Sequence, residues 1–353
     1  MESVIAPTAV AGASTHLDVE ETSQVGGARR FASAMGNAHA LDSDAVGRLA
    51  IVVTEAATNI VRHGGGGMIL LRALQHSGGP VIEVLALDKG PGIPNIDRAM
   101  ADGYSSSGTA GQGLGAIQRL SDVFAIHSQR GLGTAVLARV GLRRHSAIRP
   151  PRDPVLDDRL GAVCVPLRGE VECGDRWELM ASQRGITLML VDGLGHGPEA
   201  ALAAASATQA FEACADESHD VLFASVDTAT RPTRGAAASV IHVNELTGAV
   251  TFTGVGNVEG RVFGGPATQY LVPQNGIVGH GMPSLRSTSA TLPVKGVVLL
   301  HTDGIGSRWR LDAYEGGIAN HPALLAGMIY RDFARGRDDA SVVVLARGER
   351  ASH

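Results

Sequence analysis

The stretch Leu87-Asp88-Lys89-Gly90-Pro91-Gly92-Ile93, with Gly111-Gln112-Gly113-Leu114-Gly115 after it, decides the reading of the N-terminal half. An apolar run from Val81 to Leu87 leads straight into Asp88. A strand that ends in an acid and then in glycines lets backbone come close to a ligand. The second glycine cluster opens Leu114 to Leu120, which reads as a helix start, and free N–H groups at a helix N-terminus hold phosphate. Together these predict one nucleotide pocket, with an acid for the base and glycines plus a helix end for the phosphates. Neither common phosphate loop is present. The chain has no Gly-x4-Gly-Lys-Ser/Thr run, and Gly111-x-Gly113-x-Gly115 misses the dinucleotide spacing Gly-x-Gly-x-x-Gly.

Asp42 to His63 reads as a long helix, N-capped by Asp42 and stopped by Gly64-Gly65-Gly66-Gly67. Val46, Leu49, Ala50, Val53, Ala57 and Ile60 recur at helical spacing and are expected in a core. Glu55 and Asn59, four apart, share a different side. An acid stacked on an amide suits a metal-bound triphosphate: the amide oxygen takes the cation and the acid polarises an attacking hydroxyl. Taken singly, the pair also fits a solvated helix face.

Glu55-x3-Asn59, Asp88-x-Gly90-x-Gly92 and Gly111-x-Gly113-x-Gly115 resemble the three boxes of the GHKL (Bergerat-fold) ATPases, with Gly133-Thr134 similar to the family's closing strand. Asp102-Gly103-Tyr104-Ser105-Ser106-Ser107-Gly108 and the short length resemble the RsbT/RsbW-type serine/threonine kinases of bacterial partner switching. The resemblance implies that Asn59 ligates Mg²⁺, Glu55 orients or deprotonates the substrate hydroxyl, and Asp88 takes a hydrogen bond from adenine beside Thr134. It also implies that Gly90, Gly92, Gly111, Gly113, Leu114 and Gly115 surround the ATP phosphates. Residues 95–112, rich in Gly, Ser and Asp, read as a mobile lid.

The 353 residues allow two domains, and 44% hydrophobic content with only 4% aromatic predicts cores of small aliphatic side chains. A formal charge of −5 without a basic stripe argues against nucleic acid as the main partner. Cys164, Cys173 and Cys214 are too few and scattered for a disulfide framework and read as small buried hydrophobes. No apolar run reaches membrane-span length and Met1 to Ser14 lacks signal-peptide character, so a cytoplasmic protein with no membrane partner is expected. The expected division is a disordered 1–14, an α/β sandwich at 15–142, a Pro/Arg linker at 143–157 and a second domain at 158–353.

In that second domain, short apolar strands alternate with glycine turns, and helical patterns fall at Glu199 to Cys214, Asp220 to Arg231 and Pro322 to Ala334. This predicts packed sheets with helices outside, hence an α+β chain overall. Asp175, Asp192, Asp303 and Asp338 stand at strand ends or turns. Each alone fits a turn. Converged, they would raise one another's pKa, and one or two hard cations, Mg²⁺ or Mn²⁺, would relieve the conflict and activate a water. The four in this order resemble the metal-dependent protein phosphatase (PPM) superfamily. Asp192-Gly193-x-Gly195-His196-Gly197 and Asp338-Asp339-Ala340-Ser341-Val342 are similar to its SpoIIE-like branch, and Gly254-Val255-Gly256-Asn257-Val258 to RsbX-type members.

By that resemblance Asp175 and Asp192 hold both metals as the catalytic pair, the Gly193 carbonyl contributes, and Asp303 and Asp338 complete the second site. The superfamily's leaving-group histidine has no confident match, and His196 is expected to cap the next helix or to pack rather than to act in catalysis. His301 and His280 lack metal-ligand spacing, and Trp177 and Trp309 read as packing residues. The whole implies a bifunctional stress-response regulator: an ATP-dependent kinase for a Ser or Thr of a STAS-domain antagonist (RsbS/RsbR-like), joined to a phosphoserine/phosphothreonine phosphatase. A downstream phosphatase or sigma-regulating protein is a second implied partner, and homo-oligomers are left open. Two rivals remain: an ATP-dependent sequestration module beside an active phosphatase, and an inert C-terminal scaffold.

Overall fold

The structure, a computed structural model, describes residues 12–76, 79–100, 113–141, 159–314, 316 and 320–348. The chain divides into two compact units, one of Ser14–Asp153 with Asp312–Arg331, the other of Met1–Ala13, Pro154–Leu311 and Asp332–His353. Residues 312–331, which the sequence pattern assigns to the C-terminal domain, thus belong with the N-terminal unit. The expected linker and most of the expected lid, 101–112, lie outside the described residues, as does Gly111.

The N-terminal unit is built on a five-stranded antiparallel sheet of order β1-β2-β3-β5-β4. The strands are β1 (Thr15–Val19), β2 (Gly67–His76), β3 (Gly79–Asp88), β4 (Val123–Gln129) and β5 (Gly133–Val140). Helices α1 (Thr22–Ala38) and α2 (Ser43–Asn59) cover one face, followed by the short α3 (Ile96–Met100) and α4 (Gly113–Leu120). Asp42 caps α2 by accepting from the Ala45 N–H at 2.8 Å. A π turn, Ile60–Gly64, follows, and Gly65 ends it in the left-handed region at φ 70°. Leu49, Val53, Ala57 and Ile60 pack on Ile82, Val84 and Ala86 of β3.

Strand side chains alternate, so Leu85 and Leu87 must face the other way. That face is covered by α7 (Pro322–Phe333), whose Gly327 lies flat against both leucines. Tyr330 Oη meets His16 Nδ1 at 3.0 Å, and Arg331 Nη1 donates to the Asp88 carbonyl at 2.6 Å. Burial on both faces is why Val81 to Leu87 is apolar at every position but one. The exception, Glu83, sits in register between Arg72 and Arg139 and binds both at 2.6–2.8 Å.

The second unit is a β-sandwich. One sheet has the order β13-β10-β9-β8-β7 and the other β12-β11-β14-β15-β6. The strands are β6 (Leu160–Val165), β7 (Asp175–Ser182), β8 (Gly185–Gly193), β9 (Ala236–Val243), β10 (Ala249–Val255), β11 (Glu259–Phe263), β12 (Gln269–Leu271), β13 (Thr288–Thr291), β14 (Val297–His301) and β15 (Ala340–Ala346). Trp177, Leu188, Ile241, Phe252, Leu300 and Val343 fill the space between the sheets. Helices α5 (Pro198–Cys214) and α6 (His219–Thr230) pack on the outer face of the first sheet through Ala204, Ala207, Phe211, Phe223 and Val226. Alanines there let helix and sheet approach closely, which accounts for the low aromatic content.

Candidate active sites

In the N-terminal unit Asn59 of the first expected box, Asp88 of the second and Gly113 of the third stand at the ends of α2, β3 and α4. The position a Cβ would take on Gly113 is 3.1 Å from Asn59 Oδ1, 3.3 Å from Nδ2 and 3.5 Å from Glu55 Oε2. The amide and acid of α2 therefore face the N-terminus of α4, where the sequence reading expects phosphate. Gly115 is buried, and Leu114 turns its side chain into the core, leaving its backbone for the pocket.

Asp88 is fixed at the end of β3. Its Oδ1 accepts from Gly90 N–H at 2.8 Å and Thr134 N–H at 3.2 Å, and burial raises its pKa against those two bonds. Thr134 is buried and its hydroxyl meets Ser128 Oγ at 2.9 Å. A side chain on Gly90 would strike Gly64 and the His63 carbonyl, and one on Gly92, at φ 75°, the Gln129 carbonyl. These glycines are required by close backbone approach as much as by any ligand.

In the C-terminal unit Asp175 opens β7 and Asp192 stands opposite it in register on β8. The Asn257 amide donates to Asp192 Oδ2 at 3.1 Å and to Asp303 Oδ2 at 2.9 Å, so one neutral donor bridges two acids. Thr302 Oγ donates to Asp175 Oδ2 at 2.8 Å and itself accepts from Ser341 N–H. Asp175 Oδ1 is buried and accepts no hydrogen bond. Burial, then the neighbouring Asp192, raises Asp175 well above the usual carboxylate range. Burial, then Asp303, pushes Asp192 up to about 7, with Asp338 and Asp339 adding to the rise. Asp338 accepts from the N–H of Asp339, and Asp339 in turn accepts from Leu167 and Gly174 N–H at 2.6 and 2.8 Å. Gly193 lies tight under Ala200 of α5 and donates to the Gly174 carbonyl.

Among the described residues no group of three or more His, Cys, Asp or Glu side chains is placed to hold a metal ion as the side chains stand. The donor set nevertheless fits a hard cation: several carboxylates share one place, one buried oxygen has no donor, and the Asn257 amide supplies the positive pole between two acids. Asn257 and Asp339 were not among the expected site residues. The signal for Asn257 was its place in Gly254-Val255-Gly256-Asn257-Val258. Asp339 had none beyond adjacency to Asp338. The expected capping role of His196 fails: Gly197 at φ 75° is the N-cap of α5, and the His196 ring instead meets Glu170 Oε1 at 2.8 Å. His301 is buried against its own strand end, with burial lowering its pKa, and takes no place among the acids.

Comparison with known proteins gives one family match in each half of the sequence. Residues 19–140 match the family "Histidine kinase-like ATPase domain", and residues 182–348 match "Stage II sporulation protein E (SpoIIE)". Asp192, Asp303 and Asp338 fall inside the second match, and Asp175 just ahead of it. Serine/threonine-protein kinase RsbT of Bacillus subtilis (strain 168) is 38% identical over 96 residues, which is 27% of this chain and 72% of that protein. Phosphoserine phosphatase RsbX of the same organism is 27% identical over 139 residues, 39% of this chain and 69% of that protein. A solved chain described as "The bacterial stressosome: a modular system that has been adapted to control secondary messenger signaling" is 28% identical, with a TM-score of 0.50, covering 54% of this chain and 98% of that one. No helix of the described residues is long and apolar enough to cross a membrane. By its N-terminal part the chain belongs to the histidine kinase-like ATPase domains of RsbT and anti-sigma type, and by its C-terminal part to the SpoIIE-type protein phosphatase domains.

Proposed function

We propose that the chain is a two-way phosphorylation switch: the N-terminal unit phosphorylates a Ser or Thr of a STAS-type antagonist with ATP, and the C-terminal unit removes phosphate from the same or a related antagonist. The observation that carries the phosphatase half is the bridge from Asn257 to Asp192 and Asp303 beside the orphaned buried oxygen of Asp175. Divalent cations, when bound, would neutralise these acids and lower the pKa of an attacking water. Asp175 and Asp192 would hold them, the Gly193 carbonyl, Asp303 and Asp338 would complete the set, and Thr302 keeps Asp175 in its rotamer. The kinase half is supported by Glu55 and Asn59 facing Gly113 at the head of α4, on the unit that holds Asp88. Asn59 would take the Mg²⁺ of ATP and Glu55 would orient the acceptor hydroxyl, so catalysis is positioning plus charge neutralisation.

The test incubates the full chain with ATP and a candidate STAS protein and follows one serine or threonine by mass spectrometry. Phosphate should appear with ATP and disappear when ATP is removed and Mn²⁺ supplied. Asn59→Ala should abolish only the gain and Asp192→Asn only the loss. Capture of the partner by Asn59→Ala without phosphate transfer would favour sequestration. No loss of phosphate at any Mn²⁺ or Mg²⁺ concentration would refute the phosphatase half.

A further inference from the structure

Cys164 and Cys173 lie nine residues apart in the chain, and folding sets their Sγ atoms 3.5 Å apart with no disulfide between them. Cys164 is buried near the end of β6, where it pairs with Ser341 of β15 and its Sγ donates to the Asp175 carbonyl at 3.3 Å. Cys173 is half-buried in the loop before β7. Both line a cavity of about 270 Å³ that Asp175, Val171, Arg176 and Ala201 also border, so a small oxidant reaches the pair. The third cysteine, Cys214, instead donates to the Ala210 carbonyl within α5.

We propose that Cys164 and Cys173 are a modification site that closes reversibly into a disulfide on exposure to a peroxide, and that closure displaces Asp175. The second clause rests on the reading of Asp175 as a metal ligand. The Cys173 sulfur attacks one peroxide oxygen, the O–O bond breaks and water leaves, which makes a sulfenic acid. The Cys164 sulfur then attacks that sulfur, the S–O bond breaks and a second water carries off the oxygen and the remaining thiol proton. Two thiols lose two electrons and one peroxide becomes two waters.

A disulfide needs a sulfur separation of roughly 2.0 Å, so the two must close by roughly 1.5 Å. Cys164 is held in a paired strand, and the movement falls on Cys173. On its C-terminal side the loop is held in place. Gly174 donates to Asp339 Oδ2, accepts from Gly193 N–H, and would meet Ala200 with any side chain. Displacement therefore passes into Asp175, whose carbonyl loses the Cys164 hydrogen bond at the same time.

The test treats the full chain with millimolar hydrogen peroxide, alkylates the remaining thiols and digests with trypsin, which places the two cysteines on separate peptides, 160–168 and 169–176. The expected result is a linked peptide pair two hydrogens lighter than the sum, restored by dithiothreitol, with Cys214 still alkylated. Mn²⁺ binding by calorimetry should weaken about tenfold on closure and recover on reduction. Cys164→Ser and Cys173→Ser should each abolish the link and the peroxide effect. A Cys173 driven only to sulfinic or sulfonic acid, or a pair still fully alkylated, overturns the proposal. A linked pair with unchanged Mn²⁺ affinity overturns the claim on Asp175. Absence of Mn²⁺ binding in the reduced protein would instead count against the phosphatase reading, and the peptide map would still decide the disulfide.

Discussion

Replacing Asp192 by Asn should make the metal-free protein more stable while destroying its metal response. Asp192 is 9% exposed, and burial together with Asp303 moves its carboxyl from 3.8 to about 7. An acid raised in the folded state favours folding fully below its unfolded pKa and loses that contribution as pH rises through about 7. The full shift corresponds to roughly 4 kcal/mol of destabilisation above pH 8. Water entering and relaxing the site should leave about half, roughly 2 kcal/mol, or a Tm rise of about 4–8 °C for a unit of this size. Asn keeps the volume and an oxygen for the Asn257 donor, so packing is not disturbed. Trp177 and Trp309, the chain's two tryptophans, both lie in the C-terminal unit and are at most 1% exposed, so their fluorescence follows that unit alone. With EDTA at pH 8 the variant should melt later than the parent, and near pH 4 the two should coincide. With Mn²⁺ the order should reverse, because only the parent gains from binding. A variant that melts earlier in EDTA at pH 8, or an offset equal at both pH values, would refute the reasoning.

Three further outcomes follow from the same contacts. Burial alone would raise Glu83, but Arg72 and Arg139 outweigh it and hold the carboxyl at about 2. Its stabilising contribution is therefore present above about pH 4.5 and lost as pH falls through 2, and Glu83→Gln, which leaves two buried arginines short of a charge, should cost about 3–5 kcal/mol in urea denaturation followed by circular dichroism at neutral pH. Gly113→Ala places a methyl 3.1 Å from Asn59 Oδ1 and should weaken binding of a fluorescent ATP analogue about tenfold with an unchanged melting curve. Asn257→Ala removes two donors to charged oxygens. It should destabilise the metal-free C-terminal unit by about 2 kcal/mol, and Mn²⁺ should narrow the gap.

The cluster proposed to take the nucleotide was legible as a cluster because its parts are short-range. Glu55 and Asn59 are one helical turn apart, Asp88 closes an apolar run, and Gly90, Gly92 and Gly113 mark where backbone must approach. The four aspartates were legible by position at strand ends, but their partners were not. Asn257 reaches Asp192 across 65 residues and Thr302 reaches Asp175 across 127, and no local period records such pairs. His196 misled because a residue just ahead of a helix resembles a cap, whereas the left-handed backbone at Gly197 takes that position and frees the ring for Glu170.

The amino-acid order by itself determined the element types, the places of the acids and glycines, and the existence of two domains, since helical and strand periods, caps and turn chemistry act over a few residues. Folding alone decided that α7, read as part of the second domain, lies on Leu85 and Leu87 of the first, and that two cysteines meet beside Asp175. Both are packing outcomes: a sheet strand apolar on its two faces states that a cover is needed without stating which segment supplies it.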